Sequence, residues 1–341
     1  MINITLKYKP YVLQLKKPFK TSKGEIKERK GFLIYLQDDE GCKGTGDCSP
    51  FPEFGSETYE AAFEVVNNLN TKFYIDVNDA YKTVELSLSQ FNNLPALKHG
   101  LEQALINYIC SKKNISLNEA FKLSSKRFVN VNAVIGFLTT KQTKEKAARF
   151  ILEGFRTIKL KVGREDFEKD FKCVKAVRNL NDNLNIRIDV NGVWSLDEAE
   201  QHLIELKQFS IEYVEQPVSN IKYFGLLKKT CSIPLAADES LRTIKDAAGI
   251  IKNKSADVLI LKPMLLGGII PMLSIYNEAI KHNLKCVVSS SLESVVGRSY
   301  ALFAASLINE NTAHGLGVDD YFKNDLFPNP YPVVNGKIKL G

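Results

Sequence analysis

Residues 157–163 read TIKLKVG. In a strand, alternate side chains share a face, so Lys159 and Lys161 point one way and Ile158 and Leu160 the other. A buried ammonium group is costly unless it is paired. Either the strand is exposed at an edge, or the two lysines face something anionic. The text on both sides favours the second. From about residue 128 the chain alternates apolar strand candidates with helical patterns. The strands are VNVNAVI (129–135), TIKLKV (157–162), NIRIDV (185–190), EYVEQP (212–217), IPLAAD (233–238), DVLILKP (257–263), KCVVSSS (285–291) and NTAHGL (311–316). Eight strands with intervening helices fit a parallel β/α barrel. An open doubly wound sheet is the alternative, but no GxGxxG fingerprint follows any strand.

The first third has a different rhythm. Residues 2–17 alternate like a strand, and GFLIYLQDDEG (31–41) reads as a strand ending in a turn. Between them, PFKTSKGEIKERK (18–30) reads as a polar loop. GTGDCSPFPEFGSET (44–58), dense in Gly and Pro, reads as a second, long loop. ETYEAAFEVVNNL and PALKHGLEQALINYIC (95–110) show helical spacing of apolar residues. A small α+β unit therefore precedes the barrel.

Composition sets outer bounds. The 341 residues are 44% hydrophobic and 25% charged, with a formal charge of +7, values ordinary for a globular protein. The lysines are scattered and no nucleic-acid motif appears, so a nucleic-acid partner is not expected. Cys42, Cys48, Cys110, Cys173, Cys231 and Cys286 are far apart with no CxxC pair. That argues against a zinc site or a disulfide framework, and for a reducing, cytoplasmic compartment. The N-terminal MINITLKYKPYVLQL lacks the apolar core of a signal peptide, and no run of 18 apolar residues suggests a membrane span.

Strands of a parallel sheet, covered on both faces, should be apolar throughout. Here several end in charge: Asp189 with Asn191 on the third strand, Glu215 on the fourth, Asp238 with Glu239 on the fifth, Lys262 on the sixth. Each lies about one β/α unit beyond the last, so the charges recur at one level near the C-terminal strand ends, where barrel enzymes place their chemistry. Single strand-end carboxylates are often helix N-caps, and Asp257 or Asp197 fits that role. Four successive strands in step, flanked by lysines, point instead to a site. Asp189, Glu215 and Asp238 would repel one another unless a cation neutralises them. Oxygen-only ligands select a hard divalent ion, most simply Mg²⁺, with Mn²⁺ suited to the same set. A lysine beside such a metal and a second ammonium can serve as a base. The implied chemistry is proton abstraction next to a carboxylate, on a small anionic substrate.

PALKHGLEQAL (95–105), IKLKVG (158–163), IRIDVNGVWS (186–195), YVEQPV (213–218), AADES (236–240) and LILKP (259–263) together resemble the enolase superfamily and, within it, the muconate-lactonising-enzyme subgroup. The resemblance covers nearly the whole chain. It implies a (β/α)7β modified TIM barrel at residues 126–316 and an α+β capping domain at 1–125, with the tail 317–341 returning to the cap. It also implies that the segments 18–30, with Thr21 and Ser22, and 44–58 cover the barrel mouth and select substrate. Dipeptide epimerases of the subgroup are expected to carry Asp-x-Asp near the eighth strand, whereas Asp319 and Asp320 are adjacent. SSSLES (289–294) followed by HGLG (314–317) resembles the o-succinylbenzoate synthase family instead, a family of menaquinone biosynthesis. In that family Lys161 is implied as base and then acid, Lys262 as the cation facing the substrate ring, and Lys159 as electrostatic support. Ser289, Ser290 and Ser291 are implied as donors to the anionic substrate, and Asn191 and Glu239 as groups on its side.

Other residues carry less. Arg187 shares the face of Asp189 and either buttresses the site or pairs with a nearby acid. Glu293 bonds its own loop or caps a helix. His99, His202, His282, His314 and Trp194 read as packing or surface residues, and Gly267-Gly268 as a tight β/α turn. A Schiff-base aldolase would also use a sixth-strand lysine, but it does not call for three carboxylates on successive strands.

Overall fold

The computed structural model describes residues 4–21, 24–69, 73–309, 311–318 and 321–340. The cap opens with a three-stranded antiparallel sheet of β1 (Ile4–Thr21), β2 (Gly24–Asp38) and β3 (Lys43–Cys48). The polar stretch 18–30 is therefore not a loop. Thr21 pairs with Gly24, Lys20 with Glu25 and Phe19 with Ile26, beyond an irregularity at Gln14. Its sequence is rich in lysine and glutamate, with Phe19 and Ile26 as the apolar pair, so the hairpin shows little hydrophobic alternation to read.

The Gly-rich start of 44–58 is likewise strand, not loop. A Cβ at Gly44 or Gly46 would run into the backbone of Ala104 or Gly100 on the helix Pro95–Lys113. These glycines permit close helix-on-strand packing rather than a turn. The helices are α1 (Tyr59–Asn67), α2 (Ala80–Leu88), α3 (Pro95–Lys113) and α4 (Leu117–Phe121). α3 is buried on nearly every side, from Ala96 to Ile109, as expected of a central helix.

The expected first barrel strand divides in two. β4 (Phe128–Asn130) pairs with a later tail strand, and β5 (Ala133–Ile135) opens the barrel. There follow α5 (Thr140–Leu152), β6 (Thr157–Lys161), α6 (Phe167–Arg178), β7 (Asn185–Asp189), α7 (Leu196–Leu206), β8 (Ile211–Glu215), α8 (Phe224–Thr230) and β9 (Leu235–Ala237). α9 (Ile244–Lys252), β10 (Val258–Leu261), α10 (Pro263–Leu266), α11 (Ile269–Lys281), β11 (Lys285–Val288) and α12 (Val295–Leu307) complete the series. β5 to β11 form one seven-stranded sheet in sequence order, with parallel pairing. The eighth position is a short segment. His314 bridges to Val131 and Gly315 to Ser289, both parallel, so the sheet closes as a modified (β/α)7β TIM barrel.

Ser195 and Thr243 cap α7 and α9 with reciprocal bonds from Glu198 and Asp246. Asp197 is thus a first-turn residue of α7, not its N-cap. Asp257 caps no helix either: it pairs with Lys228 at 2.6 Å and accepts from the Leu235 amide. Tyr213, Ala236, Val258, Ile260 and Val287 form a separate apolar plug inside the barrel, beneath the charged strand ends.

Among the tail residues, Phe322 bridges to Leu15 of β1. β12 (Val333–Val334) and β13 (Lys337–Lys339) form a small sheet with β4. The cap is joined to the barrel by buried polar bonds. Glu102 of α3 accepts from the amides of Ile269 (2.5 Å) and Ile270 (3.3 Å), which start α11. Asp47 of β3 accepts from Tyr11 (2.6 Å) and from the amide (3.0 Å) and hydroxyl (2.7 Å) of Ser294, the N-cap of α12. Among the described residues no helix is long and apolar enough to cross a membrane.

Burial pushes the Asp47 carboxyl up to about 6, against the bonds from Tyr11 and Ser294. A group whose pKa rises on folding contributes stability that is present below its unfolded value and lost as pH rises through the folded one. Asp47→Asn removes that titration. Its stability relative to wild type is expected to climb by up to about 3 kcal/mol between pH 4 and 6 and then level off. Urea unfolding across that range checks this, and a difference independent of pH contradicts it.

Candidate active site

Parallel pairing aligns Lys161 with Asp189 and Asp189 with Glu215 in one row across β6, β7 and β8. Glu215 pairs with Ala236, so Asp238, two residues on, faces the same interior. Lys262 follows β10 with the inward parity of Val258 and Ile260. Asp189, Glu215, Asp238 and Lys262 are all buried.

Opposite charges meet throughout. The Lys159 ammonium lies 2.9 Å from Asp189 and 3.0 Å from Glu215. Lys161 lies 3.1 Å from Asp189 and donates to the side-chain oxygen of Asn191. Lys262 donates to both oxygens of Asp238, one of them at 2.6 Å. Asn191 donates in turn to Glu239 at 2.8 Å, while the second Glu239 oxygen is buried with no partner among the described residues.

These contacts set the charge states. Burial opposes ionisation of Asp189, but Lys159 and Lys161 overcome it and hold the group well below the usual carboxylate range. Burial pushes Glu215 up to about 8; Lys159 resists, and the charges of Asp189 and Asp238 add to the rise. Burial works against the ammonium of Lys262, yet Asp238, Glu239 and Glu215 outweigh it and the pKa rises. Lys159 behaves in the same way beside Asp189 and Glu215. The carboxylates, rather than a neighbouring cation, dominate the field at these two lysines.

Among the described residues no three His, Cys, Asp or Glu side chains stand ready-made as a metal cage; each of these carboxylates is turned to a lysine. The donor set nevertheless suits a hard divalent cation. Its ligating atoms are all carboxylate oxygens on adjacent strand ends. Each acid is close enough to raise the pKa of Glu215, and positive charge already bridges Asp189 and Glu215 through Lys159.

The other candidates separate. Ser289 sits at the end of β11, its hydroxyl 3.5 Å from the Gly315 carbonyl. Ser290 donates to Glu293 at 2.5 Å within its own loop, and the buried Ser291 hydroxyl has no partner among the described residues. Glu293 also accepts from the Ser291 amide, so it bonds its loop, while Ser294 caps α12. Ser22, Asp319, Asp320 and the side chain of Thr21 lie outside the described residues. Arg187, one step below Asp189, both pairs with Glu212 and binds Thr312 and the Ala313 carbonyl, tying β7 to the closing segment. His314 accepts from the Val288 amide in that closure. His202 stacks on Phe167 beside Trp194.

Two contributors were not singled out in the sequence. Gln216 accepts from the amides of Asp238 and Ser240 and so fixes the end of the fifth barrel strand. Its place beside Glu215 in EQP was the available signal. Phe54 of the cap places its ring 4.7 Å from the Lys262 ammonium, a contact across the chain that no spacing reveals.

A capped, modified β/α barrel with lysines and carboxylates at its C-terminal strand ends defines a class, and comparison with known proteins names it. Residues 142–341 match the family described as enolase C-terminal domain-like, and residues 5–108 match the one described as MenC, N-terminal domain. The chain belongs to the enolase superfamily. It is 36% identical over 217 residues to the o-succinylbenzoate synthase of Mycobacterium leprae, covering 62% of this chain and 63% of that protein. It thus spans less than two thirds of the length of the curated synthases it matches. It is 26% identical over 302 residues to an N-succinyl-L-Arg/Lys racemase of Bacillus cereus, covering 86% and 81% of the two chains. A dipeptide epimerase of Enterococcus faecalis V583, solved with Mg and a dipeptide, superposes with a TM-score of 0.88 at 23% identity, covering 100% and 98%. That last likeness shows the fold.

Lys159→Met removes the ammonium that bridges Asp189 and Glu215. In chelator-treated protein it is expected to cost about 3 kcal/mol, because two buried carboxyl groups lose their shared partner. The urea midpoint measures this, and an unmoved midpoint contradicts the bridging role.

Proposed function

We propose that this chain is an o-succinylbenzoate synthase. It carries out the Mg²⁺-dependent syn dehydration of 2-succinyl-6-hydroxy-2,4-cyclohexadiene-1-carboxylate to 2-succinylbenzoate in menaquinone biosynthesis. The observation that carries the proton abstraction is the placement of Lys161 and Lys262 at opposite ends of a row of three carboxylates. The identity to the mycobacterial synthase and the match of the cap to the MenC N-terminal domain support the particular reaction.

Asp189, Glu215 and Asp238 are the residues that hold the divalent ion, Mg²⁺ or Mn²⁺. When bound, the ion supplies Lewis-acid stabilisation to charge gathering on the substrate carboxylate. Lys161 removes the ring proton next to that carboxylate. The electron pair moves into the ring and expels the C6 hydroxide. The proton on Lys161 passes to it, so that one water leaves from the face on which the proton was taken. Asn191 steadies Lys161 through its side-chain oxygen and is itself fixed by Glu239. Lys262 presents positive charge to the ring from the other side, and Lys159 balances Asp189 and Glu215.

A second reaction has its own support. The racemase match extends over more of the chain than the synthase match, and two lysines facing across one site suit removal and return of an α-proton on opposite faces. N-acylamino acid racemisation or dipeptide epimerisation is therefore the alternative.

With Mg²⁺, wild-type protein is expected to consume the cyclohexadiene substrate, read as loss of diene absorbance. Lys161→Ala should be slowed at least about a thousandfold, and a chelator should stop the wild type. No turnover by wild type removes the synthase assignment; α-proton exchange of N-succinylamino acids or dipeptides in D₂O then tests the alternative. Trapping by borohydride would instead indicate a Schiff base.

A further inference from the structure

Lys262 is gripped from two sides by different parts of the fold. On one side Asp238 of the barrel accepts two of its hydrogen bonds. On the other lies the ring of Phe54, which ends the single turn Pro52–Phe54 in the cap. Phe54 rests on Phe51, with ring centroids 4.4 Å apart and planes tilted by 38°. Phe51 is fully buried and carries the Arg29 guanidinium 3.8 Å from its ring centroid. The arrangement is a stack of cation, ring, ring and cation running from the cap into the barrel.

The far end of the stack is firmly held. Arg29 is buried and donates to the carbonyls of Ser49 and Pro50, both at 2.9 Å, and to that of Leu292 at 3.3 Å. It therefore fastens the cap loop to the barrel loop after β11. The near end is seated as well. Gly55, with φ of +99°, lies against the Arg242 guanidinium, and that backbone conformation favours glycine. Arg242 donates in turn to the Glu239 carbonyl.

An aromatic face attracts an ammonium group and, unlike water, cannot pull it away through competing hydrogen bonds. We propose that Phe54 is a positioning residue for Lys262: its ring fixes the ammonium over the reacting face and screens it from solvent. This assigns the stretch CSPFPEFG a task in placing the lysine in addition to walling the substrate, and it rests on the catalytic role given above to Lys262.

The test compares full-length wild type, Phe54→Leu and Phe54→Tyr in Mg²⁺ buffer. Phe54 is only half-buried, so both variants should fold, which thermal melts will verify. Trace acetylation with acetic anhydride, read peptide by peptide by mass spectrometry, reports access to Lys262 without any substrate. Labelling of Lys262 should rise about fivefold in Phe54→Leu and stay within about twofold of wild type in Phe54→Tyr. In the turnover assay, Phe54→Leu should lower kcat about tenfold with little change in KM, and Phe54→Tyr should restore it. Unchanged labelling in Phe54→Leu overturns the proposal, as does a raised KM at unchanged kcat, which would make the ring only a wall for substrate. If Lys262→Ala retains full turnover, the role given to Lys262 fails, and the labelling comparison still decides whether Phe54 screens it.

Discussion

The structure depends on one register. β6, β7 and β8 pair so that Lys161, Asp189 and Glu215 form a single row. A slip of one residue would turn all three towards the helices and bring Leu160, Ile188 and Val214 inward. Burying several charges together is tolerable only because opposite signs meet within hydrogen-bond distance. Each barrel strand supports this with an apolar outer face and, lower down, with the plug around Tyr213 and Ile260. The barrel interior turns polar at the strand ends and, one step lower, at Arg187, which is paired with Glu212.

The cap gives that row its second wall. Asp47 and Glu102, both buried, complete the starts of α12 and α11, so cap and barrel share backbone bonds that neither could satisfy alone. The joint leads directly to the site. α11 follows Lys262 after a short turn, and α12 follows the serine loop at the end of β11. Movement at the joint would be felt at both.

Much of this was legible because charge at the end of an apolar strand is anomalous. Lys159, Lys161, Asp189, Glu215, Asp238 and Lys262 stood out by violating the pattern around them, and their spacing matched a β/α repeat. What escaped was structure without an apolar signature. The hairpin around residues 18–30 is rich in lysine and glutamate in sequence. β3 was hidden because Gly44 and Gly46, which usually punctuate loops, here let α3 approach. Asp197 and Asp257 fitted a common helix-capping role that Ser195 fills for α7 and that, at Asp257, gives way to Lys228. Ser290, implied as a substrate donor, also bonds Glu293 within its loop, a contact the sequence did not signal. Phe54 and Arg29 meet their partners across domains, where linear spacing carries no information.

The same row of groups would suit dehydration and racemisation alike, since both begin with loss of a proton beside a carboxylate. What every version requires is that Asp189, Glu215 and Asp238 act together on one divalent ion rather than serving only as partners of the lysines. Calorimetric titration of Mg²⁺ into metal-free wild type and into Glu215→Gln tests this directly. One binding site in the wild type, lost in the variant, is the expected result. Equal binding by both proteins, or none by the wild type, would mean that the carboxylates are there to neutralise lysines and that the proposed chemistry is wrong.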